Sequence, residues 1–205
     1  MIVKLYEKNT NLKDIAKIVG VLREGGIIIY PTDTVYAFGC DAMNVRAVER
    51  ICRIKGIDPQ RSNLSIVCND LSNISRYARV TSNRVFKLMK RNLPGPFTFI
   101  LNAANILPKI YRHRKEVGIR IPSNPITLAL VEALGNPVLS TSVHNRDDFM
   151  EYSTDPELID EEYGDAVDIV IDGGYGGVEP STVVDCTGDE IEIVRQGKGE
   201  LIDNR

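Results

Sequence analysis

The 205-residue chain has no tryptophan, only two histidines and only four cysteines. The cysteines (Cys40, Cys52, Cys68 and Cys186) are scattered, and none belongs to a Cys-x-x-Cys pair. That spacing argues against a disulfide framework and against a zinc site, and it makes a reducing cytoplasm the expected home. No apolar run reaches the roughly 18 residues that a membrane-spanning helix needs. The opening "MIVKLYEKNT" has neither the apolar centre nor the small-residue cleavage site of a signal peptide. Two phosphate-binding fingerprints are missing as well. There is no GxxxxGK[ST] and no GxGxxG, which argues against a P-loop or a Rossmann dinucleotide site. Internal repeats, low-complexity tracts and long linkers are also lacking.

What is present is a core-forming composition, 43% apolar, with an uneven charge distribution. Residues 42–120 hold sixteen basic and four acidic side chains, and residues 121–205 hold four basic and nineteen acidic ones. Either the basic stretch forms a surface for an anionic partner, or the two stretches pack together and neutralise each other.

Periodicity predicts alternating helices and strands. Leu12, Ile15, Ile18, Val19 and Leu22 fall at helical spacing, with Asn11 as N-cap and Gly25-Gly26 as the stop. "NVRAVERICRIKG", "SNRVFKLMKRNLPG" and "NPITLALVEALGN" read as further helices, the last with Pro125 in its first turn and Gly135 at its end. "IIIY", "LSIVC", "FTFIL", "VGIRIP", "PVLSTS", "AVDIVIDGG", "STVVD" and "EIEIVRQG" read as strands. The expected fold is therefore α/β (α+β), a single domain over residues 1–205. Its twisted, open, mixed sheet is flanked by helices.

Ligands of open α/β sheets bind in crevices at strand ends. The polar groups just beyond apolar runs are few: Thr32, Thr34 and Tyr36 after "IIIYP", Ser140 to Ser142 after "PVL", Ser181 and Thr182, and Arg195. Lys55 closes a helix before a polar loop that contains Arg61. Arg120 sits between Ile119 and Ile121 in a strand. A guanidinium there has to meet an acid or a bound anion, because burying it unpaired is costly. A salt bridge to one of the nineteen acids of residues 121–205 and a phosphate or carboxylate ligand both satisfy it. Read from these residues alone, the chain has an anion-binding crevice suited to a nucleotide.

Several segments, in order, resemble the YrdC/YciO family, which includes the L-threonylcarbamoyladenylate synthases. "YPTDTVYAFGCDA", "AVERICRIKG", "LPGPFTFIL", "VGIRIPSNP", "STVVDCTG" and "VRQGKGE" carry the likeness over roughly residues 11–199. "LMKRNLPGPFTFIL" and "DGGYGG" look closer to the YciO branch. The resemblance implies a YrdC-like fold and a defined reaction. L-threonine and bicarbonate form a carbamate, which attacks the α-phosphate of ATP to give threonylcarbamoyl-AMP and pyrophosphate, for t6A modification of tRNA. Mg²⁺ is expected on the phosphates. Carried over by position, Thr34 and Lys55 are the expected catalytic residues, and Thr32, Tyr36 and Arg61 the substrate-binding ones. Arg120, Ser142, His144, Ser181 and Arg195 are expected to hold ATP or AMP; no residue is assigned as a protein metal ligand.

Three positions depart from the synthase pattern. Ile57 replaces the arginine of the Lys-x-Arg pair, with Arg61 nearby as a substitute. His144 replaces the asparagine of Ser-x-Asn. Ala37 replaces a glycine, which is expected to narrow the loop. The resemblance thus also admits a YciO-type protein that binds tRNA or dsRNA through residues 42–120. It equally admits an enzyme acting on the threonylcarbamoyl group of tRNA.

Overall fold

The computed structural model describes residues 1–8, 10–59, 64–80, 82–112, 115–143 and 151–203. Its strands are β1 (Ile2–Lys4), β2 (Ile28–Tyr30), β3 (Ala37–Gly39), β4 (Ser65–Val67), β5 (Ala78–Arg79), β6 (Phe97–Ala103), β7 (Glu116–Arg120), β8 (Val138–Ser142), β9 (Ile169–Asp172), β10 (Thr182–Asp185) and β11 (Glu192–Arg195). Its helices are α1 (Leu12–Arg23), α2 (Val45–Lys55), α3 (Leu71–Tyr77), α4 (Asn83–Asn92), α5 (Lys109–Arg112), α6 (Pro125–Leu134), α7 (Glu151–Thr154) and α8 (Pro156–Tyr163).

Local chemistry sets the helix ends. Asn11 accepts a hydrogen bond from the Lys13 amide at the start of α1, and Asn44 accepts one from Ala47 at the start of α2. Asn124 caps α6 through the Thr127 amide, with Pro125 in the first turn. Gly135 closes α6 in the left-handed conformation, φ 78°, which glycine adopts without a Cβ penalty.

The strands run in the order β1-β9-β2-β3-β8-β4-β7-β6-β10-β11, with β5 paired to β6. Parallel pairs (β1 with β9, β2 with β9, β4 with β7, β6 with β10) mix with antiparallel ones, so the sheet is mixed and open. Strands β1, β3 and β5 and helices α3, α5, α7 and α8 go beyond the sequence expectation. The first two strands are three residues long and the third only two, too short to set up a visible alternation. Ala37 is not a loop residue: it opens β3, pairs with Tyr30 and Ser142, and is fully buried.

Two apolar layers sandwich the sheet. On one face α1 and α6 bury Ile18, Leu22, Ile126 and Leu130 against Ile28, Tyr30, Val67 and Val138. On the other, α2, α3, α4 and α8 bury Val48, Ile51, Ile74, Leu88 and Ile159 against Ile66, Phe99, Ile119 and Leu139. The first layer stops short. Beyond α6 the same sheet face continues with Ser65, Gly118 and Ser140 in register, and with Thr98 opposite Val183. No helix of the described residues is long and apolar enough to cross a membrane.

All four cysteines are buried. Burial pushes their thiols up, to about 12 at Cys68 and Cys186. Since the thiolate is the reacting species, iodoacetamide near neutral pH should modify the native protein at least about a hundredfold more slowly than the urea-unfolded chain. Mass spectrometry of timed samples measures both rates; comparable rates would show that the core opens readily.

Candidate functional site

The open part of the sheet face forms the floor of a cavity of about 330 Å³. Its floor alternates because strand side chains do: Ser65, Thr98, Gly118 and Ser140 point into it, while Ile66, Phe99, Ile119 and Leu139 point into the core behind. Thr34 and Val35 form one wall, and Ser181, Val194 and Arg195 another.

Arg120, at the end of β7, is 6% exposed. Its Nη2 donates to Asp33 Oδ1 at 3.1 Å and to Thr34 Oγ1 at 2.9 Å. Its acid partner therefore comes from the Pro31–Tyr36 segment and not from the acid-rich residues 121–205. Asp33 Oδ2 in turn accepts from the Ser123 amide at 2.9 Å. The Arg120 Nε is buried and has no hydrogen-bond partner among the described residues. Such an orphaned donor needs a further acceptor, and Arg120 lines the cavity.

Arg195 faces the same space from β11. Its Nη2 donates to the Ser181 carbonyl at 2.8 Å. Partial burial and, second, the Arg120 charge hold its guanidinium below the usual arginine range. Two like charges kept close in one cavity favour an anion between them. Ser181 Oγ lies 2.8 Å from Thr98 Oγ1, so hydroxyls link the floor to this wall.

Seven of the residues selected from the sequence thus meet at one cavity: Thr34, Arg120, Ser140, Thr141, Ser142, Ser181 and Arg195. Three others lie elsewhere. Thr32 shapes the turn: its hydroxyl donates to the Val35 carbonyl at 2.7 Å and accepts from the Thr34 amide at 3.1 Å. Tyr36, expected at the threonine end, is fully buried. Its hydroxyl donates to the Gly174 carbonyl at 2.7 Å and accepts from the Gly173 amide at 3.1 Å. Lys55 sits one step behind the rim, donating from Nζ to the Ser142 carbonyl at 2.8 Å beside the Phe38 ring. Arg61 and His144 lie outside the described residues.

The sequence reading missed Ser65, Thr98 and Gly118. Their signal was a small or hydroxyl residue at alternate positions of otherwise apolar strands. Gly118 is small for a reason: a Cβ there would collide with Ser65 Oγ and crowd Thr98.

The fold and cavity define a mixed α/β protein with an arginine- and hydroxyl-lined cavity on an open sheet face. A family model covering Sua5, YciO and YrdC proteins, described as "Telomere recombination", matches residues 20–197. The chain belongs to this family. It is 44% identical over 200 residues to the "Uncharacterized protein YciO" of Escherichia coli K12, covering 96% of this chain and 95% of that protein. A threonylcarbamoyl-AMP synthase of Bacillus subtilis 168 is 30% identical over 93% of this chain and 55% of its own length. Among solved structures, E. coli YciO superposes with a TM-score of 0.90 at 42% identity, covering 98% of this chain and 97% of that one. Sua5 of P. abyssi in complex with L-threonine superposes with a TM-score of 0.83 at 27% identity, over 96% of this chain and 57% of that one.

The Asp33–Arg120 pair carries a stability prediction. Removing one partner of a buried pair strands the other's charge, which costs about 3–5 kcal/mol. Asp33→Ala should lose that much in urea unfolding. A loss below about 1 kcal/mol, the range of exposed pairs, would mean that Arg120 finds water or another acid.

Proposed function

We propose that the chain is a nucleotide-binding enzyme of the threonylcarbamoyl-AMP synthase type. It would combine L-threonine, bicarbonate and ATP into threonylcarbamoyl-AMP and pyrophosphate. One observation carries this reading: the Arg120 and Arg195 guanidiniums converge on a hydroxyl-floored cavity, with a buried Arg120 N–H that has no acceptor among the described residues. Membership of a family that includes such synthases supports it.

In this reading the two arginines hold the phosphates, and Ser142 and Ser181 bond to the nucleotide. Thr34 and Lys55 stand at the carbamate end, Thr32 shapes the loop, and Tyr36 fixes the loop from behind. A carbamate oxygen attacks the α-phosphorus, and the bond to the oxygen bridging to the β-phosphate breaks, releasing pyrophosphate. The chain's contribution is alignment plus fixed positive charge where negative charge gathers. Magnesium is expected to enter with ATP, bound to its phosphates as part of the substrate.

The test is pyrophosphate release from MgATP with threonine and bicarbonate supplied separately and together. Release is expected only with both. Arg195→Ala removes one charge-assisted contact, about 1.5–3 kcal/mol, so ATP affinity should fall roughly tenfold to a hundredfold. Release with ATP alone, or ATP affinity unchanged in Arg195→Ala, would overturn the assignment.

A second reading, a YciO-type protein that binds tRNA or dsRNA without synthase activity, is favoured by α4. That helix carries no acid and exposes Lys87, Lys90 and Arg91 together. If it contacts RNA phosphates, replacing all three with Ala should weaken tRNA binding and flatten its dependence on salt by about three in the log–log slope. Filter binding at several salt concentrations measures this, and an unchanged slope would clear α4 of the role.

A further inference from the structure

A second cavity, of about 450 Å³, lies on the far side of the Thr32–Thr34 segment. It shares Thr34 with the first cavity and adds Glu7, Ser123, Lys198 and Tyr175 to its walls. The synthase reading uses only its shared edge, Thr32 and Thr34, and leaves Glu7, Ser123, Tyr175 and Lys198 without a role.

The segment that brings Tyr175 there is Gly173-Gly174-Tyr175-Gly176-Gly177. Three of its four glycines are a packing requirement, and the fourth, Gly174, takes a positive φ of 89°. A Cβ at Gly177 would collide with the Thr34 carbonyl, one at Gly176 with the Tyr36 ring, and one at Gly173 with Pro31. The Tyr36 hydroxyl pins the same segment through Gly173 and Gly174. A bare backbone is therefore fastened to the site loop, and its one side chain is left 83% exposed at the cavity. At that exposure the ring has most of its surface available to a ligand in the cavity.

The other wall groups indicate what the ring would meet. The Asp33 carboxylate is committed to Arg120 and the Ser123 amide. Glu7 holds the Asn124 amide nitrogen through Oε1 at 3.0 Å, and Lys198 Nζ donates to the Asp33 carbonyl at 2.6 Å. The remaining capacity is one carboxylate, one ammonium and a hydroxyl, close to neutral in sum. That combination suits a planar ring with donors and acceptors on its edge better than a bare phosphate or an apolar chain. A carboxylate accepts from the exocyclic amino group of a base, an ammonium donates to its ring nitrogens or carbonyls, and a tyrosine supplies a stacking face.

We propose that this second cavity binds a nucleobase stacked on Tyr175. The base belongs either to a free nucleoside or to a single-stranded RNA. The site is separate from the one proposed for ATP and does not depend on the reaction assigned there.

The experiment uses the full chain with two fluorescent probes, 2-aminopurine riboside and a single-stranded RNA heptamer with one central 2-aminopurine. Stacking quenches the probe. Quenching of either probe that is retained in Tyr175→Phe and weakened about tenfold in affinity in Tyr175→Ala supports the proposal. Quenching of the riboside identifies a free nucleoside as sufficient; quenching of the heptamer alone identifies RNA. With the probes absent, Tyr175→Ala should leave ATP affinity as it was, and with ATP absent, Arg195→Ala should leave the quenching as it was, so each site is scored with the other empty. No quenching of either probe, or quenching that survives Tyr175→Ala, overturns the proposal.

Discussion

The arrangement around both cavities depends on the buried ion pair between Asp33 and Arg120. Arg120 lies on a strand whose neighbours in sequence face the core, so its charge cannot escape to solvent by a change of rotamer. Only an acid delivered to it makes the position tolerable. Asp33 is that acid, and it gathers three segments at once. Its two carboxylate oxygens take Arg120 and the Ser123 amide, and its backbone carbonyl takes Lys198. The loop after β2, the junction of β7 with α6, and the segment after β11 are joined at one residue. The wall between the two cavities is the backbone of that residue and its neighbour.

Much of this was legible in the sequence because it is local. Asn caps, a Pro in the first turn and a terminal Gly mark helix ends through bonds spanning two to four residues. Apolar stripes mark the helices α1, α2, α4 and α6. The strand-end rule selected Thr34, Arg120, Ser142, Ser181 and Arg195, which do share a cavity. Nonlocal choices were not legible. The partner of Arg120 lies 87 residues away, and counting acids pointed to the wrong part of the chain, since abundance says nothing about reach. Tyr36 followed Thr34 by two residues and so looked like part of the same polar face. Its hydroxyl instead satisfies a glycine backbone that no local pattern connects to it. The floor residues Ser65, Thr98 and Gly118 were hidden because one polar residue in an apolar strand also fits an ordinary core.

The departures from the synthase pattern take on meaning in the fold. Ile57, at the expected arginine position, is partly buried and packs against the core layer beneath the sheet. At this position the side chain contributes apolar packing and no charge. Positive charge at the cavity is thereby weighted toward Arg120 and Arg195 at the strand ends, with Lys55 held behind the rim on the Ser142 carbonyl. A phosphate chain drawn to those two arginines would lie across the hydroxyl floor. The carbamate end would be served by Thr34, whose hydroxyl already accepts from Arg120, and by Lys55 from behind the rim.

Thr34 is the residue that lines both cavities. An anion that captures the unsatisfied N–H of Arg120 competes for the same guanidinium that holds Thr34 and Asp33. Any rotation of Arg120 toward the ligand pulls on the wall of the second cavity. Gly177 transmits the reverse effect, because its backbone lies against the Thr34 carbonyl with no room for a Cβ. A close-packed wall responds to displacement rather than absorbing it. Occupancy of either cavity should thus be felt by the other through one ion pair and one glycine contact. By linkage, whatever factor the first ligand imposes on the second is imposed in return.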